Sequence, residues 1–281
     1  MKRMIKYDEY YVAYLDILGF KELLRTASCE SIYQIFDILH KKTRGHLNLN
    51  GVEIQAYQHI HHTILSDSVI VYIKASVEDA FAVLIDICKN LQSSLANREA
   101  PILLRGGVAK GALFHENDII YGEGLSKAYL LESNLAKHPR IVFSGELLED
   151  GLKNTKYMFA EMEGLVKPYK TDDDRLYYID YLEISMMGID LITYFDQLQA
   201  MCNSYLNKEI DEGLRSKYLW LLSKIEKKIA VISFLREHYS KKEEEEDKRK
   251  SEEYSKRFSI YPKQFHVRLV ENTDEEEQNN G

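Results

Sequence analysis

The chain has 281 residues, of which 45% are apolar and 29% are charged, a composition typical of a protein with a substantial buried core. Its formal net charge of −8 argues against a general nucleic-acid-binding protein, because such proteins are normally basic. The sequence shows neither the ~18 continuous apolar residues of a membrane span nor the apolar stretch of a signal peptide, so we expect a cytoplasmic protein without membrane partners.

The cysteines give no sign of a structural cross-link. Cys29, Cys88 and Cys202 are scattered along the chain without a C-x-x-C spacing. They therefore predict neither a disulfide framework nor a zinc site, and they are typical of thiols in a reducing compartment.

The first part of the chain predicts alternating strands and helices. Apolar, β-branched and aromatic runs predict the strands, and apolar residues at helical spacing predict the helices. Strands are predicted at 10–15, 52–65, 69–73 and 102–114, and helices at 17–24, 30–45 and 77–96. The strands at 52–65 and 69–73 form a predicted hairpin with Asp67 at its tip. The resulting order is β-α-β-β-α-β, an α+β, ferredoxin-like plan.

The second part predicts the end of this domain and a helical extension. Strands are predicted at 117–122, 140–144, 156–162 and 175–183, and helices at 123–137, 186–206 and 213–238. We therefore predict one domain over 1–183 and a helical extension over 184–281. The run at 241–257 mixes both charge signs and is interpreted as a solvated helix extension or a mobile linker, followed by a disordered tail.

Two aspartates carry the strongest chemical signal. Asp16 ends the first predicted strand in L-D-I-L-G-F, and Asp67 lies in S-D-S-V at the hairpin tip. In this fold plan the first strand and the hairpin are neighbours, so both carboxylates are expected at one edge of the sheet. A lone aspartate in a turn more often bonds the backbone. The pair, however, predicts a site for two Mg²⁺ or Mn²⁺ ions, which together can clamp a polyphosphate and activate a hydroxyl.

Several segments resemble the class III nucleotidyl cyclases, in the same order, over about residues 8–182. The first metal motif of that family, D-I-x-G-F, is matched at 16–20, and its second metal aspartate lies on a hairpin, as Asp67 does. The motif L-R-x-G-[IV]-x-x-G is matched at 104–111, and the helix opening G-x-x-[VL]-N-x-A-x-R is echoed at 122–130. The family's late lysine-bearing segment is echoed loosely at 166–170.

The positions that recognise a purine in that family carry other residues here. Ser126 and Leu130 stand where purine cyclases place an asparagine and an arginine for the transition state. Thr63 stands where adenylate cyclases carry a lysine and guanylate cyclases a glutamate, and Ile119 replaces an adenine-reading aspartate. With the helix pattern at 124–132, this chain resembles the pyrimidine cyclases of the bacterial Pycsar anti-phage systems, which make cyclic UMP or cyclic CMP on infection.

The resemblance implies a phosphorus–oxygen lyase reaction. The ribose 3′-hydroxyl of UTP or CTP, with UTP slightly favoured, would attack the α-phosphorus, and pyrophosphate would leave in line. Asp16 and Asp67 would be the catalytic residues and would hold two Mg²⁺ or Mn²⁺ ions, with the Ile17 carbonyl as a further metal ligand. Because class III domains generally build a site from two protomers, a homodimer is implied, together with an effector that the cyclic nucleotide activates.

Seven residues are predicted to bind the substrate. Arg105 and Lys110 are candidates for offsetting the triphosphate charge, and Lys167 or Lys170 occupies the stretch where the family holds a phosphate lysine. For each of these basic residues, an exposed solubilising role is the open alternative. The predicted substrate-binding residues are Phe20, Tyr57, Thr63, Arg105, Lys110, Ser126 and Lys167.

The histidine cluster at 59–62 has several interpretations. On a strand His59 and His61 would face one side and His62 the other, which disfavours a zinc site and favours a plain surface-strand role. A third interpretation is that His59, His61 or Tyr57 lines the base pocket, since we expect all three to share a strand face with Thr63.

A function from another class is also open. The chain is then a cyclase-like domain without catalysis that acts as a nucleotide sensor or a dimerisation module. The replaced asparagine and arginine at Ser126 and Leu130 favour this alternative, whereas the presence of both Asp16 and Asp67 favours the enzyme.

Overall fold

A computed structural model describes residues 6–43, 48–49, 52–156, 169–182 and 191–258 of the protein. Its strands are β1 Asp8–Ile17, β2 Asn48–Leu49, β3 Val52–Glu53, β4 His61–Leu65, β5 Ser68–Lys74, β6 Leu104–Glu116, β7 Ile119–Tyr121, β8 Ile141–Phe143, β9 Tyr169–Thr171 and β10 Tyr177–Ile179. Its helices are α1 Phe20–Thr26, α2 Cys29–Lys42, α3 Ala80–Ala96, α4 Glu123–Leu135, α5 Gly145–Lys153, α6 Leu191–Leu206 and α7 Glu212–Phe258, with a 3-10 helix at Gln55–His59.

The main sheet has the strand order β4-β5-β1-β6-β8-β10-β9. Strand β1 lies between β5 and β6 and is antiparallel to both, and β4 pairs antiparallel with β5. Helices α1 and α2 connect β1 to the β4–β5 hairpin, and α3 connects β5 to β6. This is the split βαβ arrangement, so the predicted α+β, ferredoxin-like fold with a helical C-terminal part is confirmed.

The two faces of the sheet carry different helices. Alternate residues of β1, including Tyr11 and Leu15, belong to a large core with α3, which is buried along most of its length. The other residues of β1, including Val12, pack with Ala109 of β6 and Ala128 of α4. We call these the α3 face and the α4 face of the sheet.

Glycine in β6 lets α4 approach the sheet closely. A Cβ atom at Gly107 would lie 2.5 Å from the Ala128 carbonyl oxygen of α4, which is too short for a real contact. The glycine-containing sequence at 104–111 is therefore a packing requirement of the fold.

The hairpin begins later than the sequence predicts. The predicted strand at 52–65 is wrong as a single element, because residues 55–59 form a 3-10 helix between β3 and β4. This turn buries Ala56 and Tyr57, and the Tyr57 hydroxyl donates to the Asp86 carboxylate of α3. Burial of an aromatic ring with a paired hydroxyl thus outweighs the strand pattern of the segment.

Two predictions near the end of the domain have different outcomes. Helix α5 was not predicted; it begins at the Ser144 side-chain cap and buries Leu147 and Leu148. The predicted strand at 156–162 lies outside the described residues apart from Lys156, which is not in a strand.

Helix α7 extends over the charged run. Residues 241–257 continue this helix, so the interpretation as a helix extension is confirmed.

The contacts divide the chain into two units, residues 1–229 and 230–281, so α6 and the first part of α7 group with the sheet. The boundary at 183 stays a prediction. Among the described residues, no helix is long and apolar enough to cross a bilayer.

Candidate active site

Asp16 and Asp67 meet at one end of the sheet. Asp16 is the next-to-last residue of β1 and pairs with Ser68 of β5 and Arg105 of β6. Asp67 lies in the turn between β4 and β5, and its carbonyl oxygen accepts a hydrogen bond of 3.0 Å from the Ile17 backbone N–H. The backbone therefore brings the two predicted metal ligands and Ile17 together.

The residues after Asp16 turn sharply into α1. Gly19 has φ 75°, a left-handed conformation that favours glycine, and it precedes the first residue of α1. Phe20 is buried and its ring packs edge-on against Phe36 at 5.9 Å. The D-I-L-G-F segment thus forms the end of β1, a tight turn and the start of α1, which the buried Phe20 ring anchors.

An arginine links Asp16 to a buried glutamate. The Arg105 Nε donates to Asp16 Oδ2 at 3.0 Å, and Arg105 Nη2 lies 2.7 Å from Glu132 Oε1 of α4. The Glu132 side chain is 4% exposed and the Asp16 side chain 18%. Arg105 was predicted to bind the triphosphate; here its guanidinium is held by the two carboxylates.

Burial makes both carboxylates hard to ionise. Removal from water raises the pKa of Asp16 above its usual value, and the charge of Asp67 adds to this, while Arg105 acts in the opposite direction. Burial likewise raises the pKa of Glu132, against the lowering effect of Arg105. One guanidinium faces the carboxylates of Asp16 and Glu132, and the charge of Asp67 adds to theirs, so a divalent cation at this position would be attracted by negative charge that Arg105 offsets only in part.

The donor set fits Mg²⁺ or Mn²⁺. Within the described ranges, no group of three or more His, Cys, Asp or Glu side chains surrounds a common metal position. Mg²⁺ rarely uses such a cage and is usually bound through one or two carboxylates, water and substrate phosphates. Arg105 Nε contacts Oδ2 of Asp16, which leaves Oδ1 outside that hydrogen bond. Asp16 and Asp67 would hold the ions, and the Ile17 carbonyl stays a predicted ligand.

Thr63 lies on the α4 face, the face that carries Asp16 and Arg105. It stands on β4 directly opposite Ile70, which belongs to the core of this face. Ser126 is an exposed residue of α4 whose hydroxyl donates to the Gly122 carbonyl at 3.2 Å. The substrate-binding roles of both residues stay predictions.

Two predicted substrate residues lie on the opposite face. Lys110 pairs with Asp150 of α5 at 2.8 Å and lies over the Tyr11 ring on the α3 face. Within one chain it is therefore not part of the Asp16 cluster. The prediction that Tyr57 shares a strand face with Thr63 is wrong, because Tyr57 is in the 3-10 helix and its hydroxyl bonds Asp86. Lys167 lies outside the described residues.

The two histidines of β4, His61 and His62, face opposite sides, as their spacing predicts. The prediction that His59 shares a strand face with His61 and Thr63 is wrong, because His59 ends the 3-10 helix. His61 stacks on Tyr72 with ring centroids 5.5 Å apart, and both rings lie beside His115. We call these three residues the histidine–tyrosine cluster; it lies on the α4 face next to Thr63. The His62 Nε2 instead lies 3.1 Å from the His40 Nδ1 on α2. Burial, together with His115, lowers the pKa of His61.

Other residues near the site were not predicted. Tyr14, two residues before Asp16 on the same face, shares a hydrogen bond of 2.7 Å with Ser68, and its ring packs edge-on against Tyr129 of α4. Glu132 was visible only as the last residue of the α4 pattern. Its burial and the short distance to Arg105 follow from the packing of α4 on β6, which the sequence pattern does not specify.

Comparisons with known proteins give similarities of fold only. No protein-family model and no curated protein matches the chain. Among solved structures, it is similar to the catalytic core of a rhodopsin-guanylyl cyclase with converted specificity, with 13% identity, a TM-score of 0.42, and coverage of 62% of this chain and 96% of that one. The guanylyl cyclase Cya2 gives 12% identity, a TM-score of 0.42 and coverage of 66% and 98%. At these values, the similarities carry no function across to this chain.

Proposed function

We propose that this chain is a nucleotidyl cyclase that converts a nucleoside triphosphate into the 3′,5′-cyclic mononucleotide and pyrophosphate. The observation that carries the proposal is the meeting of Asp16 and Asp67 at the end of the sheet, held by the hydrogen bond from Ile17 to Asp67. The resemblance of the segment at 16–20 to the first metal motif of class III cyclases supports the same reading.

In the proposed reaction, the residues of this chain would position the metal ions and supply the negative charge that binds them. Two bound Mg²⁺ or Mn²⁺ ions would supply charge neutralisation for the triphosphate and lower the pKa of the attacking hydroxyl. Asp16 and Asp67 would hold these ions at a fixed strand end. Arg105 fixes the orientation of the Asp16 carboxylate, and Glu132 fixes the guanidinium of Arg105. Catalysis of this kind depends mainly on geometry and electrostatics, since a phosphoryl transfer needs little covalent chemistry from the protein.

The proposed substrate is UTP or CTP. Thr63, Ile119 and Ser126 are short or apolar at the positions that recognise a purine in the class III family, and Ile119 is 59% exposed. The homodimer and the anti-phage effector belong to this proposal through the resemblance. Exposed Tyr129 and Leu130 on α4 supply apolar surface that a partner subunit would bury.

A second candidate function is a cyclase-like nucleotide sensor or dimerisation module without catalysis. The ion pair of Arg105 with Asp16 favours it, because a guanidinium here competes with a metal ion for the carboxylate. Ser126 and Leu130 favour it further, since neither supplies the charge or amide expected for transition-state stabilisation.

One assay separates the two functions. The purified chain is incubated with Mn²⁺ and each of the four ribonucleoside triphosphates, and products are resolved by mass, with Asp16→Asn as the inactive control. Cyclic mononucleotide from the native chain alone supports the cyclase. Tight nucleotide binding without product from any of the four would refute the cyclase and support the sensor.

A further inference from the structure

Trp220 joins helix α7 to the domain that contains the sheet. Its ring stacks on His138, with centroids 5.3 Å apart and planes 2° from parallel, and it lies edge-on to Tyr178 of β10 at 5.8 Å. Its Nε1 donates to the Asp172 carboxylate at 2.7 Å, and Lys224, one turn later on α7, lies 2.9 Å from the same carboxylate. Two ring contacts and a hydrogen bond from one side chain therefore fix the position and rotation of this part of α7.

A buried arginine connects this contact with the start of β8. The Arg140 side chain is 2% exposed, and its Nη1 lies 2.9 Å from Asp172, the acceptor of the Trp220 hydrogen bond. Asp174 pairs with the same guanidinium, which lies 6.0 Å from the centre of the Trp220 ring. A guanidinium removed from water keeps its charge and needs such partners, so Arg140 and Trp220 hold each other in place through Asp172.

The backbone at 140–142 holds β6 next to Arg105. The Arg140 carbonyl oxygen accepts a hydrogen bond of 3.1 Å from the Gly106 N–H, and Val142 of β8 pairs with the next residue of β6. Gly106 directly follows Arg105 in the chain. The contacts that fix Arg140 therefore also fix the strand from which the Arg105 side chain extends.

The same contacts support helix α4 at Glu132. Trp220 and Leu131 of α4 pack against one group of buried side chains, and Leu131 directly precedes Glu132. That group consists of Ala136, Val142 and Tyr178. Trp220 thus supports both elements that hold the Arg105 guanidinium, which are its own strand β6 and the helix that carries its partner Glu132.

We propose that Trp220 is a positioning residue of the proposed active site. It holds β6 and α4 so that the Arg105 guanidinium bonds both Asp16 and Glu132. The orientation of the Asp16 carboxylate then depends on how α7 docks on the domain. This inference rests on the proposed function for its effect on catalysis, whereas the effect of Trp220 on Arg105 is measured without substrate or metal.

The direct test follows the Arg105 guanidinium by nuclear magnetic resonance in the full-length chain. The Nε–H signal of Arg105 is assigned by its loss in Arg105→Lys, and its exchange with solvent is measured without metal or nucleotide. Trp220→Leu removes the stacked ring and the Nε1 donor, so we expect faster exchange of the Arg105 signal or its loss through broadening. Trp220→Phe keeps a ring in the stack and is expected to retain most of the native protection.

Two control variants separate positioning from general effects on the fold. Leu219→Ala changes an exposed neighbour of Trp220 on α7, and Ile87→Val lowers stability at a buried position of α3. Both should leave the Arg105 signal and kcat unchanged. Trp220→Leu should lower kcat by about 10-fold with little change in KM, because a misplaced carboxylate affects the transition state more than substrate binding.

Circular dichroism and thermal melts identify any variant that fails to fold. If Trp220→Leu does not fold, Asp172→Asn takes its place, since it removes the charge of the shared acceptor and keeps the side-chain volume. A folded Trp220→Leu or Asp172→Asn variant that protects the Arg105 signal as the native chain does overturns the inference.

The possible failures are distinguishable. If the native chain makes a cyclic nucleotide but Trp220→Leu matches Leu219→Ala in kcat, the inference is overturned and the cyclase stands. If no triphosphate gives product but Trp220→Leu loses protection of the Arg105 signal, the cyclase is overturned and the positioning of Arg105 by Trp220 stands. If the native chain shows no protected Arg105 Nε–H, the inference is overturned whatever the activity.

Discussion

The Ile17 backbone N–H donates to the Asp67 carbonyl oxygen at 3.0 Å, which joins the end of β1 to the turn of the β4–β5 hairpin. Because Asp16 precedes Ile17, this bond fixes the spacing between the two carboxylate-bearing residues through backbone. Ser66, with φ 54°, closes the turn in a left-handed conformation. The site is therefore built on strand ends that are already paired in the sheet, which favours a preorganised metal position.

The first prediction is that Asp16→Asn and Asp67→Asn each remove cyclase activity while the protein stays folded. Each change removes the charge that holds a metal ion and leaves the side-chain volume unchanged. We expect a loss of ~100-fold or more in kcat/KM, consistent with losing several kcal/mol of transition-state stabilisation. Product formation with Mn²⁺ is measured beside far-ultraviolet circular dichroism.

The control for both variants is Asp196→Asn, an exposed aspartate of α6. It carries the same chemical change on a helix to which none of the candidate site residues belongs, and its activity should match that of the native chain. If Asp16→Asn or Asp67→Asn keeps near-normal turnover with Mg²⁺ or Mn²⁺, the two-metal assignment is wrong.

The second prediction concerns stability and pH without metal. The environment of Asp16, with Arg105 included, raises its pKa in the folded state, so the folded protein binds this proton more tightly than the unfolded chain. Asp16 therefore favours folding when protonated, and this contribution is lost as pH rises through the folded-state pKa. We expect Asp16→Asn to unfold at a higher temperature than the native chain at pH 7, and the difference to vanish near pH 3.

Added Mn²⁺ should reverse that order. Metal ions bind the charged carboxylates of the native fold and stabilise it by mass action, whereas Asp16→Asn lacks one ligand. The measurement is a series of thermal melts from pH 3 to 8 with and without Mn²⁺. A variant that is less stable than the native chain at pH 7 without metal would show that the ion pair with Arg105 outweighs the cost of burial.

Sequence patterns predict the backbone placement of the aspartates well, because it follows from strand order. A strand-end aspartate and a hairpin-tip aspartate become neighbours once β1 lies next to β5, whatever the details of packing. The pairing of Arg105 with Glu132 depends instead on how closely α4 approaches β6, which Gly107 permits. That approach is a three-dimensional property, so Glu132 was not recognised as part of the site.

Tyr57 and Lys110 show why the substrate residues were harder to predict. The strand pattern around Tyr57 was overridden by burial of its ring and hydroxyl against α3, which turned the segment into a 3-10 helix. Lys110 lies five residues after Arg105 on β6. Side chains alternate between the two faces of a strand, so an odd separation places these two residues on opposite faces.

The third prediction is a homodimer with the active site at the subunit interface. Sedimentation velocity across the micromolar range should show the dimer, and specific activity should rise with protein concentration as the dimer forms. The exposed Tyr129 and Leu130 of α4 should become protected from hydrogen exchange or covalent labelling over the same range. A monomer with full activity at micromolar concentration would contradict this prediction.

The fourth prediction depends on which side chains limit the base pocket. Tyr57 does not narrow it, because its ring is buried against α3. The histidine–tyrosine cluster replaces it as the candidate, since His61 and Tyr72 lie on the α4 face beside Thr63. Rings at this position would restrict the size of the base, and the lowered pKa of His61 keeps its imidazole neutral at pH 7.

We therefore predict that UTP or CTP is the preferred substrate, with UTP slightly favoured through the resemblance alone. A site that selects a purine carries polar groups that bond the ring edge, and Thr63, Ile119 and Ser126 provide no charged group for this purpose. Equal concentrations of ATP, GTP, CTP and UTP are supplied together with Mn²⁺, and the products are resolved by mass. His61→Ala should enlarge the pocket and raise the ratio of purine to pyrimidine product by about 10-fold, if one ring contact sets the size limit. The control Lys227→Gln, at an exposed lysine of α7, should leave that ratio unchanged. Predominant cyclic AMP or cyclic GMP from the native chain would overturn the pyrimidine assignment and leave the cyclase reaction standing.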